Sequence, residues 1–235
     1  PNDYEYVQGR LWGLKNIGME KAWAYETGNS SVEAGVVDTG INFLTNNDFG
    51  AGKDTGKGYD FAENNSDYSD TTGIDHGTGV AGIIGALTNN SFHVAGVAPQ
   101  IKLTSYKAAL DSSGGFPWEA VADAIEAAAD DNAAVLNMSL GLLIHPNLTV
   151  SVIQEALNYA MTEAPNMPIV IATGNEGLDI VGYPASQSVV RPNVIAVGAT
   201  DNYQSGDSPR RSLWRYGAMI FTYDEEDPWY DYNRY

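Results

Sequence analysis

Three short segments of the chain carry residue types suited to acyl transfer, and they occur in a fixed order. Val36-Val37-Asp38-Thr39-Gly40 sets a carboxylate at the end of a β-branched run, on a turn that glycine permits. Asp75-His76-Gly77-Thr78-Gly79-Val80-Ala81-Gly82 puts an imidazole at the head of a small-residue stretch. Thr173-Gly174-Asn175-Glu176-Gly177 holds a side-chain amide on a glycine-flanked loop. Acyl transfer needs a base, a group that fixes its tautomer, and donors for a developing oxyanion. His76 suits the first role, Asp38 the second and Asn175 the third. Taken singly, an Asp at a strand end or an Asn between glycines is usually a turn former. The ordered set is what carries information. Asp-Thr-Gly is also the catalytic turn of aspartic peptidases, and it recurs at Asp54-Thr55-Gly56, but that site needs β-rich surroundings and the helical stretches here are wrong for it.

These residues need elements to position them. Val32 to Val37 reads as a buried strand, and His76 to Leu87 as a helix with Val80, Ile83, Ile84 and Leu87 at helical spacing. Ile101 to Ser105 alternates as a strand does. Pro117 opens a helix whose buried stripe is Val121, Ala124, Ile125 and Ala128. Val135 to Ser139 is the next strand. A helix follows from about Thr149, with Val152, Ile153, Ala156, Leu157 and Ala160 on one face. Ile169 to Ile171 and Val194 to Val197 are short, continuously apolar strands, the pattern of a parallel sheet covered on both faces. The alternation predicts a three-layer α/β/α fold around a mostly parallel twisted sheet. Ligands of such folds bind beyond the carboxyl ends of the strands, where Asp38, Ser139 and Asn175 fall.

Composition limits the partners. Thirty acidic residues stand against 12 Lys and Arg, a net charge of −18, which argues against a nucleic-acid phosphate backbone. The balance suits a soluble, secreted protein or one that attracts cations. No apolar run is long enough to span a bilayer, so no membrane partner is expected. The absence of cysteine removes disulfides, thiolate catalysis and Cys-based zinc sites. After residue 202 the texture changes. Residues 203–235 hold nine of 25 aromatics and four of six arginines, with neither helical nor strand periodicity, which divides the chain into a domain over 1–202 and an atypical tail.

VVDTGI at 36–41, HGTGVAGIIGA at 76–86, NMSLG at 137–141 and ATGNEG at 172–177 together resemble the subtilisin-like (S8) serine peptidases. The resemblance implies an endopeptidase in which His76 is general base and acid, Asp38 its orienter and Asn175 an oxyanion donor. It implies that Ser139-Leu140-Gly141 walls the pocket for the residue before the scissile bond. It also implies that Ser113-Gly114-Gly115 is the edge that pairs with an extended peptide substrate. Leu87 to Pro99 resembles the family's calcium loop, with Ca²⁺ held by the Asn90 side chain, the carbonyls of Leu87, Phe92 and Val94, and the carboxylates of Asp48 and Asp3. The protein or peptide substrate is the implied partner, together with the chain's own pro-segment. His93 and His145 match no catalytic position.

The nucleophile is the departure. The family carries its serine in Gly-Thr-Ser-Met/Leu-Ala, and no such segment occurs in the chain. Family spacing sets it roughly 66 residues beyond the oxyanion asparagine, at about position 241, past Tyr235. The expectation is a chain that ends, by truncation or frameshift, before the serine and is inactive as it stands. The alternative is a non-catalytic peptide-binding pseudo-peptidase. Ser205, Ser208 and Ser212 lack the small-residue flank that aims a nucleophile.

Overall fold

The structure, a computed structural model, describes residues 1–142, 149–175, 180–201 and 221–223. Three short helices, α1 (Tyr4–Val7), α2 (Trp12–Asn16) and α3 (Met19–Ala22), precede the first strand, β1 (Glu33–Asp38). The chain continues through β2 (Tyr59–Asp60), α4 (His76–Gly85), β3 (Lys102–Lys107), α5 (Trp118–Asp130), β4 (Val135–Met138), α6 (Ser151–Glu163), β5 (Ile169–Ala172) and a 3₁₀ turn at Ala185–Val189 to β6 (Val194–Val197). Six strands form one sheet in the order β2-β3-β1-β4-β5-β6, and every pairing in it is parallel. A separate parallel ladder joins β7 (Ala199–Asp201) to β8 (Phe221–Tyr223), the latter inside the segment that composition sets apart.

Alternate side chains of the strands feed two cores, as the strand period requires. Val37, Tyr106, Leu136, Met138, Ile169 and Ile171 pack under α5 and α6, while Ala34, Val36, Ile101 and Leu103 pack on the α4 side. The expected stripes hold on the two long helices: Val121, Ala124, Ile125, Ala128, Ile153, Ala156, Leu157 and Ala160 are completely buried. Pro117 stands at the N-cap of α5, one residue before the first-turn position that its start signal predicts.

Helix α4 differs from expectation. Its buried residues are Gly77, Thr78, Ala81, Gly82 and Gly85, while Ile83 is 45% exposed. The helix lies so close to the sheet that only small side chains fit beneath it. A Cβ at Gly85 would meet Leu103 at 3.3 Å, and one at Gly77 would meet the Gly40 carbonyl oxygen at 2.3 Å. Close approach outweighs hydrophobic periodicity here. The short β2, α1, α2 and α3 carry no period long enough to read from sequence.

Strands are laid down on one side of β1 and then on the other, so the order reverses beside it. Crossovers there leave in opposite directions and open a crevice at the carboxyl ends of the strands. Asp38 is the last residue of β1 and lies at that crevice.

Candidate active site

Asp38 sits on the sheet's central strand, 1% exposed, and accepts the Thr39 amide N–H on Oδ1 at 2.8 Å. The same oxygen lies 2.7 Å from His76 Nδ1. The imidazole, 37% exposed, stands at the first residue of α4. Two local features make the meeting of strand end and helix start feasible. Gly40, at φ +112°, turns the chain where a Cβ would strike the Ser69 carbonyl, and Gly77 has no Cβ to push β1 away. Asp75, at φ 57°, occupies the left-handed region just before the helix, a conformation Asp tolerates better than most residues. The hydrogen bond to Asp38 raises the His76 pKa above the ordinary histidine value, against a smaller opposing effect of burial.

Asn175 follows β5 by three residues and is exposed. A cleft of about 360 Å³ gathers it with His76, Gly114, Ser139, Leu140 and Gly141. Six residues singled out from sequence therefore line one cavity, from four different stretches of chain. Asp38 lies behind it, reached through the imidazole. Ser113 and Gly115 are not among its lining residues. They belong to a turn closed on Leu110, whose N–H bonds the Gly115 carbonyl at 2.9 Å and whose carbonyl takes the Gly114 N–H at 2.8 Å. Glu176, Gly177, His145, Ser205, Ser208 and Ser212 lie outside the described residues.

The cleft has members that sequence reading missed. Thr39, Ile74, Phe116, Leu142, Ala172, Gly174 and Gly182 complete its walls. Gly182 donates to the Thr173 carbonyl at 2.8 Å, a Cβ there would lie tight against the same oxygen at 3.0 Å, and Leu142 pairs with Tyr183. No local pattern marks Gly182, because the Leu142–Tyr183 bridge beside it joins segments far apart in sequence.

The candidate metal loop also assembles. Asp3 is completely buried and Asp48 is 2% exposed. Asp3 accepts the amides of Asn89 and Asn90 at 3.0 and 3.3 Å. Asp48 accepts the Asn90 side-chain amide at 3.3 Å and the Val94 N–H at 2.9 Å. Among the described residues neither carboxylate is paired with a Lys or Arg. Two buried charges closing on one loop with only neutral donors are expensive unless a cation joins them. Asn90 Oδ1 accepts the Phe92 N–H and the Phe92 carbonyl accepts the Tyr4 N–H, each leaving a second lone pair. The donor set fits a hard cation that takes oxygen ligands. Among the described residues no cluster of three or more His, Cys, Asp or Glu is suited to a metal, so this set depends on its amide and carbonyl oxygens.

The model of the subtilase family, Peptidase S8, matches residues 29–226, and the chain belongs to that family. It is 41% identical over 203 residues to a thermophilic serine proteinase of Bacillus sp. (strain AK1), covering 86% of this chain and 46% of that protein. It is 37% identical over 220 residues to thermitase of Thermoactinomyces vulgaris, covering 94% and 71%. Among solved structures, sphericase matches with a TM-score of 0.59 and 31% identity, over 82% of this chain and 60% of its own. The chain thus spans about half the length of the first of these relatives.

Proposed function

We propose that this chain supplies the base, orienting acid, oxyanion donor and substrate cleft of a secreted serine endopeptidase. The observation that carries the reading is the single cleft that joins His76, backed by Asp38 at 2.7 Å, to Asn175 and to the 139–141 wall. With Nδ1 bonded to Asp38, the tautomer is set so that Nε2 takes the proton of an attacking hydroxyl and returns it to the leaving amine. Asp38 stabilises the imidazolium formed between these steps. The Asn175 amide donates to the oxygen of the tetrahedral intermediate. Leu140, Gly141, Ala172, Gly174 and Gly182 give the pocket an uncharged lining that holds the side chain before the scissile bond.

The hydroxyl comes from a serine in the family's Gly-Thr-Ser setting, which these 235 residues do not contain. In this reading the cleft binds extended peptides, and turnover requires that serine. Calcium bound by Asp3, Asp48, Asn90 and the carbonyls of Leu87, Phe92 and Val94 would supply positive charge between the two carboxylates and tie the N-terminus to the body.

The test pairs two measurements on the chain. An unlabelled extended peptide is titrated by calorimetry, and a fluorophosphonate probe is applied in parallel. Peptide binding that is lost in Gly141→Val, with no covalent label, supports the reading. Stoichiometric labelling would show an activated serine within these residues and overturn the assignment of the hydroxyl elsewhere. Failure to bind peptide at all would overturn the cleft's role.

A further inference from the structure

A second buried carboxylate lies behind the Asp38–His76 pair. Asp70 is 7% exposed, on the loop that leads into α4. Thr39, itself 2% exposed, donates its hydroxyl proton to Asp70 Oδ2. The same hydroxyl oxygen accepts the Gly77 amide N–H at 2.8 Å. On its other oxygen Asp70 accepts the Thr72 hydroxyl at 2.6 Å and the Thr72 amide at 3.1 Å. Thr39 is the neighbour of Asp38 in the chain, and Gly77 is the neighbour of His76. One hydroxyl therefore couples the residue next to the acid with the residue next to the base.

A threonine hydroxyl has one proton and two lone pairs, and its rotor turns to suit its partners. A carboxylate at Asp70 accepts only, so it fixes that proton and leaves a lone pair aimed at Gly77. Asn42 closes the arrangement from the outside. Its side-chain oxygen accepts the Asp70 N–H at 3.1 Å, its side-chain amide donates to Asp75 at 2.8 Å, and its backbone N–H donates to Thr78 Oγ1 at 3.0 Å. The loop is thus tied at residue 70 and again one residue before His76.

We propose that Asp70 is a positioning residue for His76, acting through the Thr39 hydroxyl. The inference rests on His76 being the general base. Asp70 makes no bond to the imidazole. It holds the first turn of α4 against the end of β1, and its negative charge favours the imidazolium. Burial pushes its own carboxyl up, opposed by the three donated hydrogen bonds. Among the described residues the other charged groups nearby are Asp38 on β1 and Asp75 just before the ring. Lys107 lies beside Asp38 in the β1–β3 register but is paired with Asp60 and Asp111.

The test is histidine NMR on the intact chain, with the His76 signals assigned by their loss in His76→Gln. The readouts are the ring titration midpoint and the Nδ1–H resonance. Thr39→Val and Asp70→Asn are each expected to lower the midpoint by about half a pH unit and to shift or broaden the Nδ1–H signal. Thr39→Ser, which keeps the hydroxyl, is expected to match the wild type. Thermal melts establish that the variants fold; if either does not, Thr72→Val, which strips a donor from Asp70, takes its place with a smaller displacement. Folded variants with wild-type midpoints and Nδ1–H signals would overturn the proposal. So would a midpoint that falls in Asp70→Asn but not in Thr39→Val, since Asp70 would then act only as a charge. Asp38→Asn separates this from the underlying reading. If Asp38→Asn leaves the midpoint unmoved, the assignment of base and orienter fails; if it lowers the midpoint while the other two do not, only the role of Asp70 fails.

Discussion

His76 stands above the ordinary histidine pKa because it donates to a carboxylate buried in the sheet. The consequence for stability has a definite sign. A group whose folded pKa is raised adds stability below its unfolded value, near 6.5, and that contribution vanishes as pH climbs through the folded value. The stability difference between wild type and Asp38→Asn should therefore be largest in mild acid and shrink as pH rises above neutrality, as urea melts across pH would show. Lys53 works in the opposite direction. It is 5% exposed, its ammonium donates to the carbonyls of Pro99 and Ile101, and burial pushes its pKa from 10.5 down to about 8. Between those values the unfolded chain binds more protons than the fold, so stability rises with pH. Lys53→Met should remove that alkaline slope; a slope unchanged in the variant would place its origin elsewhere.

At the scale of elements, the site depends on how closely α4 approaches β1. Gly77→Ala puts a methyl group 2.3 Å from the Gly40 carbonyl oxygen, a contact that only a shift of helix or strand relieves. A cost of about 2–3 kcal/mol is expected from urea denaturation, with loss of the downfield Nδ1–H signal of His76. Gly79→Ala is the matched control, since nothing lies within 4 Å of that position. It should leave stability unchanged or raise it by up to about 1 kcal/mol, through helix propensity. The loop from Leu87 to Val94 offers the second element-scale prediction. Calcium should raise the melting temperature, a chelator should reverse the gain, and Asp48→Asn should abolish most of the difference. A calcium increment unaltered in Asp48→Asn would move the ion to another site.

Over the whole molecule a net charge of −18 repels itself. Screening reduces that repulsion over a length of roughly 8–10 Å near physiological ionic strength. With calcium chelated, sodium chloride added in steps should raise the melting temperature until the effect levels off. A melting temperature insensitive to salt would mean that opposite charges are already locally paired. The same acidity is compatible with cation capture at Asp3 and Asp48, where the two effects of calcium, general screening and specific binding, separate by comparison with sodium.

The positions of Asp38 at a strand end, His76 at a helix start and Asn175 just beyond a strand, and the alternation of strands with helices, were legible in the sequence because each depends on local pattern: a carboxylate ending a β-branched run, glycines beside a polar side chain, apolar residues at the helical period. The stripes of α5 and α6 followed from period alone, since long helices lying over a sheet bury one face whatever their partners are. The face of α4 did not. Its contact with the sheet is set by how near two backbones can come, so glycine and alanine outrank Ile83, and no one-dimensional pattern reports that distance. The Leu142–Tyr183 bridge beside the cleft, the Thr39–Asp70 coupling and the convergence of Asp3 with Asp48 on one loop likewise arise from segments separated by roughly 30 residues or more. Residue chemistry and periodicity determined which groups this protein has to work with. Only the tertiary structure decided which backbones meet, because close approach is a property of pairs of segments and is written in neither one.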